Sequence, residues 1–145
     1  MGISLNALLG VAKSVAADSK CASMQVGAVL VIDGHIVSTG INGTPKGYTN
    51  CNELFSCRCP EHSVWSEKYE IHAEMNCIIH CPTSTEGGTI VVTHAPCWNC
   101  AKHIVASGIT SIYYGERYYR MPEDEFKAIE EFCADNKVIF EAIDG

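Results

Sequence analysis

Several things are missing from this sequence, and each absence narrows what it can be. No apolar run approaches the ~18 residues of a membrane-spanning helix, so no such span is expected. The stretch from Met1 to Ala17 lacks a basic leader and a long apolar core. It reads as an amphipathic helix and not as a secretory signal, which points to a cytoplasmic protein. There is no internal repeat, no low-complexity tract and no Pro/Gly/Ser linker, so residues 1–145 are expected to form one domain. Positive charge is scarce: 10 Lys and Arg stand against 17 Asp and Glu, for a net charge of −7. An acidic surface repels the phosphate backbone of a polynucleotide, which argues against a long DNA or RNA substrate. It leaves room for a small nucleotide held by one or two local cations.

What the chain has in abundance is cysteine and histidine. Nine cysteines is an odd count, and six histidines accompany them. In a reducing compartment this composition points to metal binding more than to a disulfide framework. Hydrophobic residues make up 47% of the chain, enough for a core without covalent staples.

The periodicities predict an α/β chain. Ser4 to Ala17 places Leu5, Leu8, Leu9, Ala12, Val15 and Ala16 at helical spacing. Val26 to Ile32 is a nearly continuous β-branched run, as in a strand buried on both faces. Asp33-Gly34 is a two-residue hairpin signal, and His35 to Thr39 the returning strand. Ile41 to Ile71 has no lasting periodicity, with a short helical turn expected at Val64 to Tyr69. Loops beyond ~12–15 residues are usually functional or tied down. Further on come a helix over His72 to Cys81, a buried strand over Thr89 to Thr93 and a helix over Cys97 to Ser107 with Gly108 as its stop. A strand over Thr110 to Tyr114, a helix over Pro122 to Cys133 and a strand over Val138 to Ile143 complete the chain. The expected architecture is a three-layer α/β/α fold, a five-stranded mixed sheet with helices on both faces.

The chemistry concentrates between Ile71 and Cys100. His72-Ala73-Glu74 opens this stretch and Pro96-Cys97-Trp98-Asn99-Cys100 closes it. His72, Cys97 and Cys100 are zinc ligands by type. Three protein ligands leave a fourth position for water, as in a catalytic site. Cys97 and Cys100 share a helix face at i, i+3, and a helix N-terminus favours the thiolates that zinc needs. Glu74 can take a proton from the acidified water and pass it to a ring nitrogen and to leaving ammonia. The competing reading is a structural zinc knot, which requires a fourth ligand and has no use for Glu74. His-x-Glu followed by Pro-Cys-x-x-Cys is the pattern of the zinc deaminases that act on nucleobases.

At these residues the chain resembles the cytidine deaminase superfamily, and more closely the deoxycytidylate (dCMP) deaminases of phage type. Gln25-Val-Gly-Ala-Val29, Asn42-Gly-Thr-Pro45 with Gly47, His72-Ala-Glu-Met-Asn76 and Thr93-His-Ala-Pro-Cys-Trp-Asn-Cys-Ala-Lys102 carry the likeness. The resemblance implies hydrolysis of dCMP to dUMP, the precursor of dTMP. It implies a homohexamer, activation by dCTP, inhibition by dTTP, and Mg2+ accompanying the effector. It assigns a deoxyribose contact to Asn42, a backbone N–H to the base from Ala73, and a base-pocket wall to Thr93, His94 and Ala95. Residues around the Gly40-Ile41-Asn42-Gly43 turn, Asn42 and Gly43 among them, are implicated in nucleotide contacts. The resemblance also implies a second, structural zinc on Cys21, Cys51, His62 and Glu70, with Cys57-Arg58-Cys59 as a rival pair. One departure stands out. Many relatives carry a basic residue just before the Val-Gly-Ala strand, near the substrate phosphate, where this chain has Ser23-Met24-Gln25. The phosphate cation is therefore sought at Lys46, Arg117 or Arg120, from this chain or a neighbouring subunit. The alternatives are a deaminase of free cytidine, deoxycytidine or a tRNA base, and a non-catalytic zinc module.

Overall fold

A computed structural model describes residues 2–56 and 59–144. Helix α1 (Leu5–Ala16) leads into strand β1 (Gly27–Ile32) and strand β2 (His35–Ile41). Helices α2 (Cys51–Leu54), α3 (Pro60–Tyr69) and α4 (Ala73–Ile79) follow. Strand β3 (Thr89–His94), helix α5 (Trp98–Ala106), strand β4 (Ser111–Glu116), helix α6 (Glu123–Asp135) and strand β5 (Ile139–Ala142) complete the order. The strands form one sheet in the order β2-β1-β3-β4-β5. β1 is antiparallel to both of its neighbours, and β3, β4 and β5 run parallel. The expected three-layer mixed sheet is therefore the fold.

The apolar run of β1 explains its central place. Val29 and Val31 pack with Leu8, Leu9 and Ala12 of α1 on one face. Ala28 and Leu30 pack on the other face, with Ala73 and Cys77 of α4, Ile104 of α5 and Ile129 of α6. Alternate residues of one strand thus feed two cores. At the hairpin, Asp33 and Gly34 take φ values of 50° and 80°, the left-handed pair that a primed two-residue turn requires.

Gly40 is the close-approach point between β2 and α4. A Cβ there would lie 2.3 Å from the carbonyl oxygen of Ala73 and 2.5 Å from the amide nitrogen of Cys77. Only glycine lets α4 lie this close to β2. Asn76 reinforces the contact by donating from Nδ2 to the carbonyl of Ile41 at 2.8 Å.

The stretch from Ile41 to Ile71 departs from the expectation of irregular chain. It contains α2 and the full-length α3. Helix α3 escapes periodicity because it has little apolar face: Val64 is 71% exposed and His62 is its buried residue. It is set by other means. Pro60 occupies the first turn, Cys59 Sγ accepts from the His62 N–H at 3.4 Å, and Phe55, Trp65 and Tyr69 form a ring cluster along it. The pairing of Gly43 with Ile71, through N–H···O bonds of 3.0 and 2.8 Å, closes the segment. Strands β2, β3 and β4 also run past their expected ends, to Ile41, His94 and Glu116.

Candidate active site

Two helix N-termini meet at one place. His72 is the residue that caps α4, and Cys97 is the residue that caps α5. Both have extended backbone, so each side chain projects from the mouth of its helix. Pro96 is fully buried and brings the chain from β3 into α5. Cys100 lies one turn further on and is buried. His72 Nδ1 lies 3.2 Å from Cys100 Sγ and 3.6 Å from Cys97 Sγ. A tetrahedral zinc with bonds of ~2.0–2.3 Å has ligand–ligand edges of about 3.5 Å, so the three donors fit one ion.

The electrostatics also suit a cation. Hydrogen bonds from Cys100 and His72 pull the Cys97 thiol down to about 4. Its hydrogen bond to Cys97 pushes His72 up to about 9, and the partnership with Cys97 drives Cys100 upward. Two thiols and an imidazole are thus competing for protons around one negative charge. A divalent ion bound there would replace those protons.

Glu74 lies in the first turn of α4, only 4% exposed. Burial raises its carboxyl to about 7. Such a group exchanges a proton readily near neutral pH. Glu74, His72 and Cys97 line one cavity of about 300 Å³ together with Asn42, Ala73, His94 and Ala95.

The other sequence candidates fall in different places. Asn42 borders the cavity, but its amide bonds the backbone: Oδ1 accepts from Val26 N–H and Nδ2 donates to Met24 O, both at 2.8 Å. It fixes the strand entry that walls the cavity. Ala73 is fully buried at the start of α4. Thr93 Oγ1 accepts from the Gly27 N–H at 3.2 Å and lies 2.9 Å from His94 Nδ1. Gly43 pairs with Ile71 and thereby fixes the residue preceding His72.

None of the three candidate cations lines the cavity. Lys46 is exposed in the turn after Gly43. Arg117 is ion-paired with Glu123 and lies over the Phe126 ring, 3.7 Å from its centroid. Arg120 donates from Nε to Tyr119 Oη at 2.8 Å. Among the described residues, no Lys or Arg borders the site.

Cys21, Cys51, His62 and Glu70 converge in a second cluster, their donor atoms all within 4.8 Å of one another. His62 Nε2 lies 3.0 Å from Cys51 Sγ and 3.8 Å from both Cys21 Sγ and Glu70 Oε1. His62 and Glu70 side chains are each 3% exposed, and Glu70 Oε2 has no protein partner. A buried carboxylate oxygen left unpaired costs about 1–3 kcal/mol, which a cation at the cluster would offset. Of the rival pair, Cys59 caps α3 instead, and Cys57 lies outside the described residues.

Ser63, Ser66 and Glu67 of α3 also line the cavity, as does Tyr118. The α3 residues were not singled out from sequence. The Cys59-Pro60 start of the helix was the available signal, since proline favours the first helical turn.

The sequence profile of the cytidine and deoxycytidylate deaminase zinc-binding region matches residues 4–116. The deoxycytidylate deaminase of Enterobacteria phage T2 is 32% identical over 183 aligned residues, covering 88% of this chain and 97% of that protein. The enzyme of Enterobacteria phage T4 is 36% identical over 148 residues, covering 77% of each. The crystal structure of dCMP deaminase from cyanophage S-TIM5, in complex with dCMP and dUMP, superposes with a TM-score of 0.75 at 30% identity over 95% of each chain. Profile, relatives and fold converge on the elements that carry His72, Glu74, Cys97 and Cys100, and the chain belongs to the cytidine and deoxycytidylate deaminase family.

Proposed function

We propose that this chain converts dCMP to dUMP by hydrolytic deamination, supplying the precursor of dTMP. The observation that carries the reading is the buried Glu74, which shares a cavity with His72 and Cys97 of the His72–Cys97–Cys100 cluster. Relatives named deoxycytidylate deaminase, 32–36% identical, support the choice of substrate.

His72 Nδ1 and the two thiolates would hold a zinc, which would supply a Lewis acid that lowers the pKa of a water to about 7. Glu74 does the proton work. Its carboxylate accepts the proton of the water that attacks C4 of the pyrimidine. The protonated carboxyl then delivers it to N3. It next moves the proton of the new C4 hydroxyl to the exocyclic nitrogen, so that C4=O forms, the C4–N4 bond breaks and ammonia leaves. A carboxyl held near 7 by burial suits both halves of this shuttle. Ala73, at the head of α4, offers its N–H to the base. Thr93, His94 and Ala95 form the wall against it, and Asn42 stands on the sugar side. Cys21, Cys51, His62 and Glu70 would hold a second, structural zinc, tying α2 and α3 to the segment leading into His72.

The same reading includes a cytoplasmic homohexamer, with dCTP as activator, dTTP as inhibitor and Mg2+ accompanying the effector. A turnover titration with dCTP and dTTP, with and without Mg2+, tests the regulation.

One observation favours a second reading. With no Lys or Arg bordering the cavity among the described residues, deoxycytidine itself would find the site adequate. A phosphate would take its cation from Lys46, Arg117, Arg120 or a neighbouring subunit. Turnover of dCMP, CMP, deoxycytidine and cytosine side by side separates the two. A kcat/KM for dCMP well above that for deoxycytidine is expected. Equal or better use of deoxycytidine removes the monophosphate assignment.

A further inference from the structure

His94 has a position that the zinc chemistry does not use. It ends β3, its side chain is 20% exposed, and it lines the active-site cavity. Both of its ring nitrogens are occupied by the protein. Nδ1 lies 2.9 Å from Thr93 Oγ1, and Nε2 lies 3.1 Å from Glu116 Oε1. The Thr93 hydroxyl is itself anchored, since it accepts from the Gly27 N–H. Glu116 is held opposite by the parallel register that pairs it with His94, and its carbonyl accepts from the Ala95 N–H at 2.8 Å.

This arrangement holds in either protonation state of the ring. If Nδ1 is bare, the Thr93 O–H donates to it. If Nδ1 carries a proton, Thr93 Oγ1 has a free lone pair to accept it. Nε2–H donates to Glu116 in both cases. No nitrogen is left for a ligand, so what the ring offers the cavity is its π-face and C–H edge. A flat, electron-poor pyrimidine is a suitable partner for that surface.

We propose that His94 engages the substrate base through its ring alone, and that Thr93 and Glu116 are positioning residues that hold the ring by its two nitrogens. The inference rests on the reading of the site as a pyrimidine deaminase. It assigns to Glu116 a role in substrate affinity, although this residue does not border the active-site cavity.

The test uses the metal-loaded protein, with dUMP as the binding probe and dCMP as substrate. His94→Asn keeps a polar side chain but removes the aromatic face. It is expected to weaken dUMP on the order of 10-fold, the scale of base–aromatic stacking. His94→Phe restores the face without the nitrogens and should recover most of that loss. Glu116→Ala is expected to raise KM by about 2- to 5-fold with kcat nearly unchanged, the scale of an exposed charged pair. Glu116→Gln, which still accepts from Nε2–H, should return KM towards the wild-type value. A merely structural Glu116 would lower thermal stability without splitting KM from kcat. Long-range 1H–15N spectra of His94 should show the ring's nitrogen environment change in Glu116→Ala and recover in Glu116→Gln.

Two results overturn the inference while the deaminase reading stands: wild-type turnover of dCMP with His94→Asn binding dUMP as tightly as wild type, or with His94→Phe as weak as His94→Asn. The second would assign the role to the nitrogens. A wild-type protein that deaminates no pyrimidine at all removes the reading, and this inference with it.

Discussion

Replacing Gly40 by alanine tests the structural logic of the site without touching any ligand. Gly40 lies on β2, beneath the first two turns of α4, and α4 carries His72 at its mouth and Glu74 in its first turn. The added Cβ would stand 2.3 Å from Ala73 O, 2.5 Å from Cys77 N and 3.0 Å from Cys77 Cα. All three are backbone atoms, so no side chain can rotate away. Ordinary contact begins at 3.4 Å, so helix and strand must separate by about 1 Å. Overpacking of this kind costs about 1–3 kcal/mol, or about 2–10 °C in Tm for a chain of this size. The same displacement moves Glu74 and His72 relative to Cys97 and Cys100, which are held on α5. A 1 Å misplacement costs about 100-fold in turnover. Melting curves, kcat for dCMP and zinc content per chain measure the three effects. Gly10→Ala serves as the control: its Cβ meets nothing within 4 Å on α1, and it should stabilise by about 0.5–1 kcal/mol with activity retained. Wild-type kcat and Tm in Gly40→Ala would refute the claim that this contact sets the site.

Three further outcomes follow from the same geometry. Glu74→Ala should keep metal at wild-type stoichiometry while turnover falls by at least about 1,000-fold, since it removes the proposed proton carrier and none of the proposed ligands; unchanged turnover would take Glu74 out of the mechanism. Native mass spectrometry should find two zinc ions per chain, and Cys51→Ala should lose one of them and increase proteolysis across 41–71; one ion in the wild-type protein would refute the second site. Burial pushes the Cys77 thiol up to about 12 and Cys133 up to about 11, so at pH 8 each holds about 0.1% thiolate or less. Both should resist iodoacetamide in the folded protein and react fully after denaturation. Rapid native labelling of either would contradict the packing of α4 and α6 on the sheet.

Much of the molecule was legible in the residues themselves, and the reason is local. β1, β3 and α1 carry patterns of period 2 or 3.6 that need no distant partner to be read. Asp33-Gly34 and Gly108 mark turns because they meet backbone demands of their own position. His72, Glu74, Cys97 and Cys100 form a pattern whose chemistry needs those types at those spacings. Helix α3 was not legible, because its stability comes from ring contacts, a proline start and buried polar groups instead of an apolar stripe.

What the sequence alone determined, then, is the class of fold and the zinc-deaminase pattern at its centre, since both rest on short-range periodicity and ligand spacing. The tertiary structure decided everything that depends on distant segments meeting. It brought Cys21, Cys51, His62 and Glu70 from separate stretches into one cluster. It turned the amide of Asn42 towards Val26 and Met24, and it left the cavity without a bordering cation among the described residues. It also set Glu116 beside His94, because two parallel strands extend further than their apolar patterns do. Such juxtapositions are set by strand register and helix approach, which involve residues far apart in the chain and leave no mark in any single window of it.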